Sequence, residues 1–147
     1  HLVSTIGDTT TAATNNDFSL GGSLELMPGT SAIDFTFDAN GKMQPTHAGL
    51  YMVYAFIYLY TNATSGIGLI AAYKGTTGSA PYGTSGTQFA NIDTFEWNGV
   101  SAGRIDNGLG GQAPVVLNAN EAVHFYITNT DYFSGPRFHR CGIFKLD

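Results

Sequence analysis

The sequence predicts an all-β domain, a sandwich of short antiparallel strands, and three observations carry that expectation. Apolar and aromatic residues recur with period two between turn signals, in roughly eight to ten short runs. Glycine is counted at 19 of 147 residues and aromatic residues make up 13%, while charged residues make up only 12%. No run carries the capped 3.6-residue periodicity of a helix, and no repeat of about 20 to 50 residues is present.

Length sets the organisation. A chain of 147 residues buries one core without metal or disulfide staples, so residues 1–147 are expected to form a single domain. The chain opens at His1 without a charged-then-apolar leader, which reads as a processed fragment or cloned domain with a stalk upstream. Residues 1–16 then serve as a first strand, through Leu2-Val3 and Ile6 beside the C-terminus, or as the stalk connection.

The elements follow in order. Asp17 to Met27 alternates weakly and ends at the turn signal Pro28-Gly29. Ile33, Phe35 and Phe37 share one face of a half-buried strand that Asp38-Ala-Asn40-Gly41 closes with an Asn-Gly turn. Gly49 to Tyr60 sets Tyr51, Val53, Ala55, Ile57 and Leu59 on one face and Leu50, Met52, Tyr54, Phe56, Tyr58 and Tyr60 on the other. Both faces are apolar, so both are expected to be covered, one of them by a neighbouring subunit. Asn62-Ala-Thr64 is formally a glycosylation sequon. Gly66 to Tyr73 is a strand whose small residues invite close backbone approach. Lys74 to Thr87 and Ser101 to Gln112 read as glycine-rich loops, with two strand-like pieces between Gln88 and Val100. Pro114 to Leu117, Ala122 to Ile127 and Phe138 to Leu146 close the chain as strands.

Three motifs bring a family resemblance. Gly41-Lys-Met, Pro45 and then Gly49-Leu-Tyr51-Met-Val53 resembles the C1q and tumour-necrosis-factor-like jelly roll, whose central strand opens Gly-x-Tyr-x-Phe; Val53 stands in place of that Phe. Val116-Leu117-Asn-Ala-Asn-Glu121-Ala-Val123 is similar to the family's leucine, turn, Gly-Asp-x-Val step, and Cys141-Gly142-Ile143-Phe144 to its closing Ser-Gly-Phe-Leu strand. The resemblance spans about Phe35 to the C-terminus. It implies a single-domain antiparallel jelly roll that assembles as a homotrimer, with one sheet of each subunit lining the threefold axis. Val123, Phe125 and Ile127 then point into the core, and His124 and Tyr126 outwards to a partner subunit.

Several function classes fall away. The six cations, Lys42, Lys74, Arg104, Arg137, Arg140 and Lys145, are scattered on a chain of net charge -5, which is no footprint for nucleic acid. No run reaches the eighteen or so apolar residues of a membrane span. Gly83-Thr-Ser85-Gly86 breaks the nucleophile-elbow pattern, and Asp131, Ser134 and His139 form a triad only on paper. Asp93 and Glu96 fall on opposite faces of their strand, a poor glycosidase pair. No enzyme is expected. No cofactor is expected either, with calcium the alternative: it occurs in some relatives of the fold, and Asp93, Asp106 and Asp131 stand in or near loops, without a dense Asp-x-Asp-Gly loop. His139 and Cys141, at i and i+2, are expected at the trimer interface with His124 and Tyr126, packed against neighbours rather than holding a metal.

Binding is the expected activity. The two glycine-rich loops carry the Gly, Ser, Thr, Asn and Tyr palette of adaptable recognition surfaces. Tyr82 and Trp97 are the aromatic candidates, with Asp93, Glu96, Asn98, Arg104 and Asn107 as polar partners. Such a set suits carbohydrate, an aromatic face stacking on the sugar while amides and carboxylates meet its hydroxyls. The expected function is a trimeric recognition head at the tip of a fibre or stalk, on a virion surface or otherwise extracellular, binding a cell-surface receptor or glycan for host attachment. A secreted C1q-domain lectin or signalling ligand is the alternative within the fold. A jelly-roll subunit of a capsid or surface layer is the alternative outside recognition.

Overall fold

The computed structural model describes residues 2–9, 16–17, 23–26, 35–38, 41–61, 66–75, 78, 82–97, 105–128 and 137–146. Side chains are described at 35–38, 41–57, 67–75, 78, 82–94, 96, 108–127 and 140–146. Eleven strands run through these residues: β1 (Leu2–Thr9), β2 (Asn16–Asp17), β3 (Ser23–Leu26), β4 (Phe35–Phe37), β5 (Met43–Pro45), β6 (Gly49–Thr61), β7 (Gly66–Lys74), β8 (Thr87–Trp97), β9 (Ile105–Leu117), β10 (Val123–Thr128) and β11 (Arg137–Lys145). They form a five-stranded sheet, β3-β1-β11-β6-β9, and a six-stranded sheet, β4-β5-β10-β7-β8 with β2 beside β10. Every strand pair is antiparallel. The chain crosses between sheets from β5 to β6, β6 to β7, β8 to β9, β9 to β10 and β10 to β11, the winding of a jelly roll.

Period-two patterning makes the core. Tyr51, Val53, Ala55 and Ile57 of β6 meet Val123, Phe125 and Ile127 of β10 in one cluster with Met43, Ile70, Leu109, Val115, Leu117, Cys141 and Ile143. Phe35 sets its ring edge-on to Tyr51 at 6.2 Å and 78°. Tyr51 satisfies its buried hydroxyl by donating to the His47 carbonyl at 2.7 Å.

Two elements differ from the sequence expectation. Glycine depresses strand propensity, so residues 105–112 read as loop, yet β9 runs unbroken from Ile105 to Leu117 along β6. The glycines answer to Phe56: a Cβ on Gly110 would lie 2.7 Å from the Phe56 ring. An aromatic laid across a cross-strand glycine restores the packing that the missing side chain forfeits. The two strand pieces between Gln88 and Val100 are likewise one strand, β8.

Candidate interaction surfaces

On the outer face of the five-stranded sheet, the described side chains of β6, β9 and β11 are mostly apolar, with Gln112 and Arg140 the polar exceptions. Along β6, Leu50, Met52, Tyr54 and Phe56 point away from the core, Leu50 and Phe56 being exposed and Met52 and Tyr54 half-buried. Their neighbours in register are Val116, Pro114, Gln112 and Gly110 on β9, and on β11 Phe144 opposite Met52, Gly142 opposite Tyr54 and Arg140 opposite Phe56. Phe56 is 39% exposed and Val116 63%. Apolar residues exposed singly are ordinary, whereas a contiguous row along three strands has the character that interaction surfaces present.

The outer face of the six-stranded sheet is built differently, and the chain covers part of it itself. Residues Tyr82–Gly86 form a strap, turned by a Ser85 N–H donating to the Tyr82 carbonyl at 2.9 Å. Beneath it lies His124 with no exposure at all. Its Nε2 donates to the Gly83 carbonyl at 2.7 Å, and its ring stacks on Tyr73 at 5.3 Å and tilts against Tyr82 at 5.5 Å. The Tyr82 hydroxyl donates to the Asp38 carboxylate, tying the strap to the β4–β5 turn. A charge-assisted bond of this kind contributes about 1.5–3 kcal/mol. Tyr82→Phe is therefore expected to lower stability by about that much and to speed amide hydrogen exchange at Ser85; unchanged exchange there would show that the strap is held without Asp38.

This geometry corrects three expectations. Tyr82, expected to offer a ligand its ring, is 4% exposed and spends that ring on His124. His124 does point out of the sheet, but the strap and not a partner subunit covers it. Cys141, expected at the trimer interface, is fully buried in the sandwich core, opposite Ala55. A β-branched and aromatic strand pattern defines which residues share a face, not which face lies inward, and that ambiguity misplaced Cys141.

The other candidates scatter. Asp93 is engaged by backbone: the Gly110 N–H donates to Oδ2 at 2.9 Å and the Thr94 N–H to Oδ1 at 2.8 Å, so the carboxylate clasps β8 to β9 across the two sheets. Gly111 lets them meet there, since a Cβ would lie 2.7 Å from the Ile92 carbonyl. Glu96 is exposed, paired with Ile67. Tyr126 is half-buried on the outer face, edge-on to Tyr73 at 6.4 Å and 87°. Trp97 ends β8 opposite Gly66, Asn107 stands on β9 opposite Leu59, and His139 on β11 opposite Ile57. Asn98, Arg104, Asp131, Ser134 and the sequon at 62–64 lie outside the described residues. Among the described residues, no three His, Cys, Asp or Glu side chains group to hold a metal, and no helix is long and apolar enough to cross a membrane.

Burial also sets the chemistry of Cys141, whose thiol is pushed up from 9.0 to about 12 by desolvation. A raised folded value means the folded thiol keeps its proton while the unfolded one ionises. Its contribution is whole below pH 9 and is lost as pH rises from 9 toward 12, at up to about 1.4 kcal/mol per unit. Denaturation midpoints followed from pH 8 to 11 should fall more steeply for the wild type than for Cys141→Ala; identical slopes would place the thiol in water.

No protein-family model matches the chain, and no curated protein does. Among solved structures, the Eiger TNF from S. frugiperda superposes with a TM-score of 0.56 at 15% identity, covering 100% of this chain and 94% of that one. The fold is a TNF-like jelly roll. The resemblance seen in the motifs at Gly49–Val53, Val116–Val123 and Cys141–Phe144 therefore holds at the level of fold.

Proposed function

We propose that this domain is a non-enzymatic homotrimeric recognition head, standing at the tip of a fibre or stalk outside the cell and binding a cell-surface receptor or glycan. One observation carries the reading: the apolar row of Leu50, Met52, Phe56, Val116 and Phe144 on the outer face of the five-stranded sheet. TNF-like jelly rolls assemble through one sheet at a threefold axis, and this face has the apolar character such a core requires. The interface thus moves from β10, where the strap covers His124, to β6, β9 and β11.

Host attachment, as on a phage or viral fibre, is the use that best suits a surface low in charge and rich in glycine. A second reading, a secreted signalling ligand, is favoured by the TNF named among the similar structures. Multi-angle light scattering at micromolar concentration tests the assembly, and a monomeric mass overturns it. Cell binding by the labelled protein tests recognition. Binding followed by a receptor-dependent response favours the signalling reading; binding without one favours attachment.

A further inference from the structure

We propose that the outer face of the six-stranded sheet along β8 is a shelf for a neutral oligosaccharide. This deepens the recognition reading above and rests on it for the setting, a cell surface. Two irregularities build the shelf. The pairing of β7 with β8 shifts register between Ile70 and Ala71 and again between Ala72 and Tyr73. Gln88, Asn91, Thr94 and Glu96 consequently pair with Tyr73, Ala71, Leu69 and Ile67. In an uninterrupted strand, Gln88 and Asn91 would face opposite ways. The two extra residues, Phe89 and Ile92, turn inward against the core and bring the polar residues to one face, the re-aiming that bulges perform beside functional sites.

The polar groups are also set in advance. The Tyr73 hydroxyl donates to Gln88 Oε1 at 3.1 Å, and Gln88 Nε2 donates to Asn91 Oδ1 at 2.5 Å. The chain fixes both amides and leaves the Asn91 NH₂ without a partner among the described residues. Such a fixed donor loses little freedom on binding. Tyr126 stands across Ala71 from Asn91 in the same row of the sheet, where its half-exposed ring offers an apolar edge to a sugar. The strap rises at the Tyr73–His124 row and bounds the shelf at one end, and Glu96 bounds the other.

Charge selects the ligand class. Of the four β8 positions, two are amides, one a hydroxyl and one a carboxylate, and none of their β7 partners is a cation. Among these described residues a phosphate, sulfate or sialic acid finds no counter-charge, whereas the hydroxyls of a neutral sugar find both donors and acceptors. A peptide strand would add at the sheet edge instead, and beside Ile92 and Asp93 that edge is closed by β9. A shallow face of this kind binds one sugar weakly; three copies on one trimer raise avidity by about 10²–10⁴.

The test is an array of neutral oligosaccharides, beside sialylated and sulfated ones, probed with the labelled full chain and with N91R and T94R. Both substituted residues are exposed, so folding and oligomeric mass should be kept, and each variant should lose at least about tenfold in binding. Binding restricted to anionic glycans, or neutral-glycan binding indifferent to both variants, overturns the shelf. Cell binding that survives both variants and removal of surface glycans overturns the shelf and leaves the recognition head standing. Silence on cells and array alike overturns both. A monomer that binds neutral glycans and loses them in both variants supports the shelf and overturns the trimer.

Discussion

Replacing Val116 with arginine is expected to leave the chain folded and to convert the proposed trimer to monomers. Val116 is 63% exposed in the single subunit, so a longer, charged side chain there meets water and not the core. Across a subunit interface the same side chain would be buried without a counter-charge, at a cost of about 3–5 kcal/mol per site. Three sites in one trimer exceed what an interface of ordinary size holds in reserve. Light scattering should report the mass falling threefold while far-UV circular dichroism is unchanged. Val116→Thr, which adds no charge, should keep the trimer. A V116R protein that still runs at the wild-type mass would move the interface away from this sheet.

That surface was half legible in the sequence. The alternation of β6 assigns its residues to two faces without ambiguity, and the buried set Tyr51, Val53, Ala55 and Ile57 is the one the alternation defines. Because both faces are apolar, the sequence also called for a second cover beyond the core. It does not say which sheet keeps an uncovered apolar face, because β7 and β10 show the same two-sided apolar pattern. The structure separates them: at His124, β10 is covered by a strap from its own chain, through the His124 to Gly83 bond across 41 positions of sequence, while Leu50 and Phe56 of β6 are exposed. Long-range closure of that kind has no periodicity to announce it.

The remaining misreadings share one physical origin, since strand geometry answers to neighbours that sequence patterns do not contain. Gly108, Gly110 and Gly111 weaken strand propensity, but the Phe56 ring and the Ile92 carbonyl need their empty positions. The bulges of β8 insert two residues that break alternation, so a period-two reading divides Gln88, Asn91 and Thr94 between faces that they do not occupy. Asp93 and Glu96 do fall on opposite sides, one toward β9 and one onto the outer face, because both bulges precede Asp93 and the three positions between the two residues keep strict alternation.

Adjacent residues of β10 give a sharp test of this layering. Phe125→Ala should lower stability by about 3–5 kcal/mol, whereas Tyr126→Ala, one position along, should cost about 1 kcal/mol. Phe125 is fully buried in the middle of the sandwich, among residues of both sheets, and truncating it leaves a cavity that two hydrogen-bonded sheets collapse upon only in part. Tyr126 is half-exposed with its ring edge-on to Tyr73, so truncating it opens no enclosed cavity. Urea denaturation at one fixed protomer concentration measures both, because an assembly's midpoint shifts with concentration. Equal losses would mean that the outer face of this sheet is as buried as the core, covered by a subunit along β10. The trimer axis would then run along the six-stranded sheet, and the shelf along β8 would have no room for a sugar.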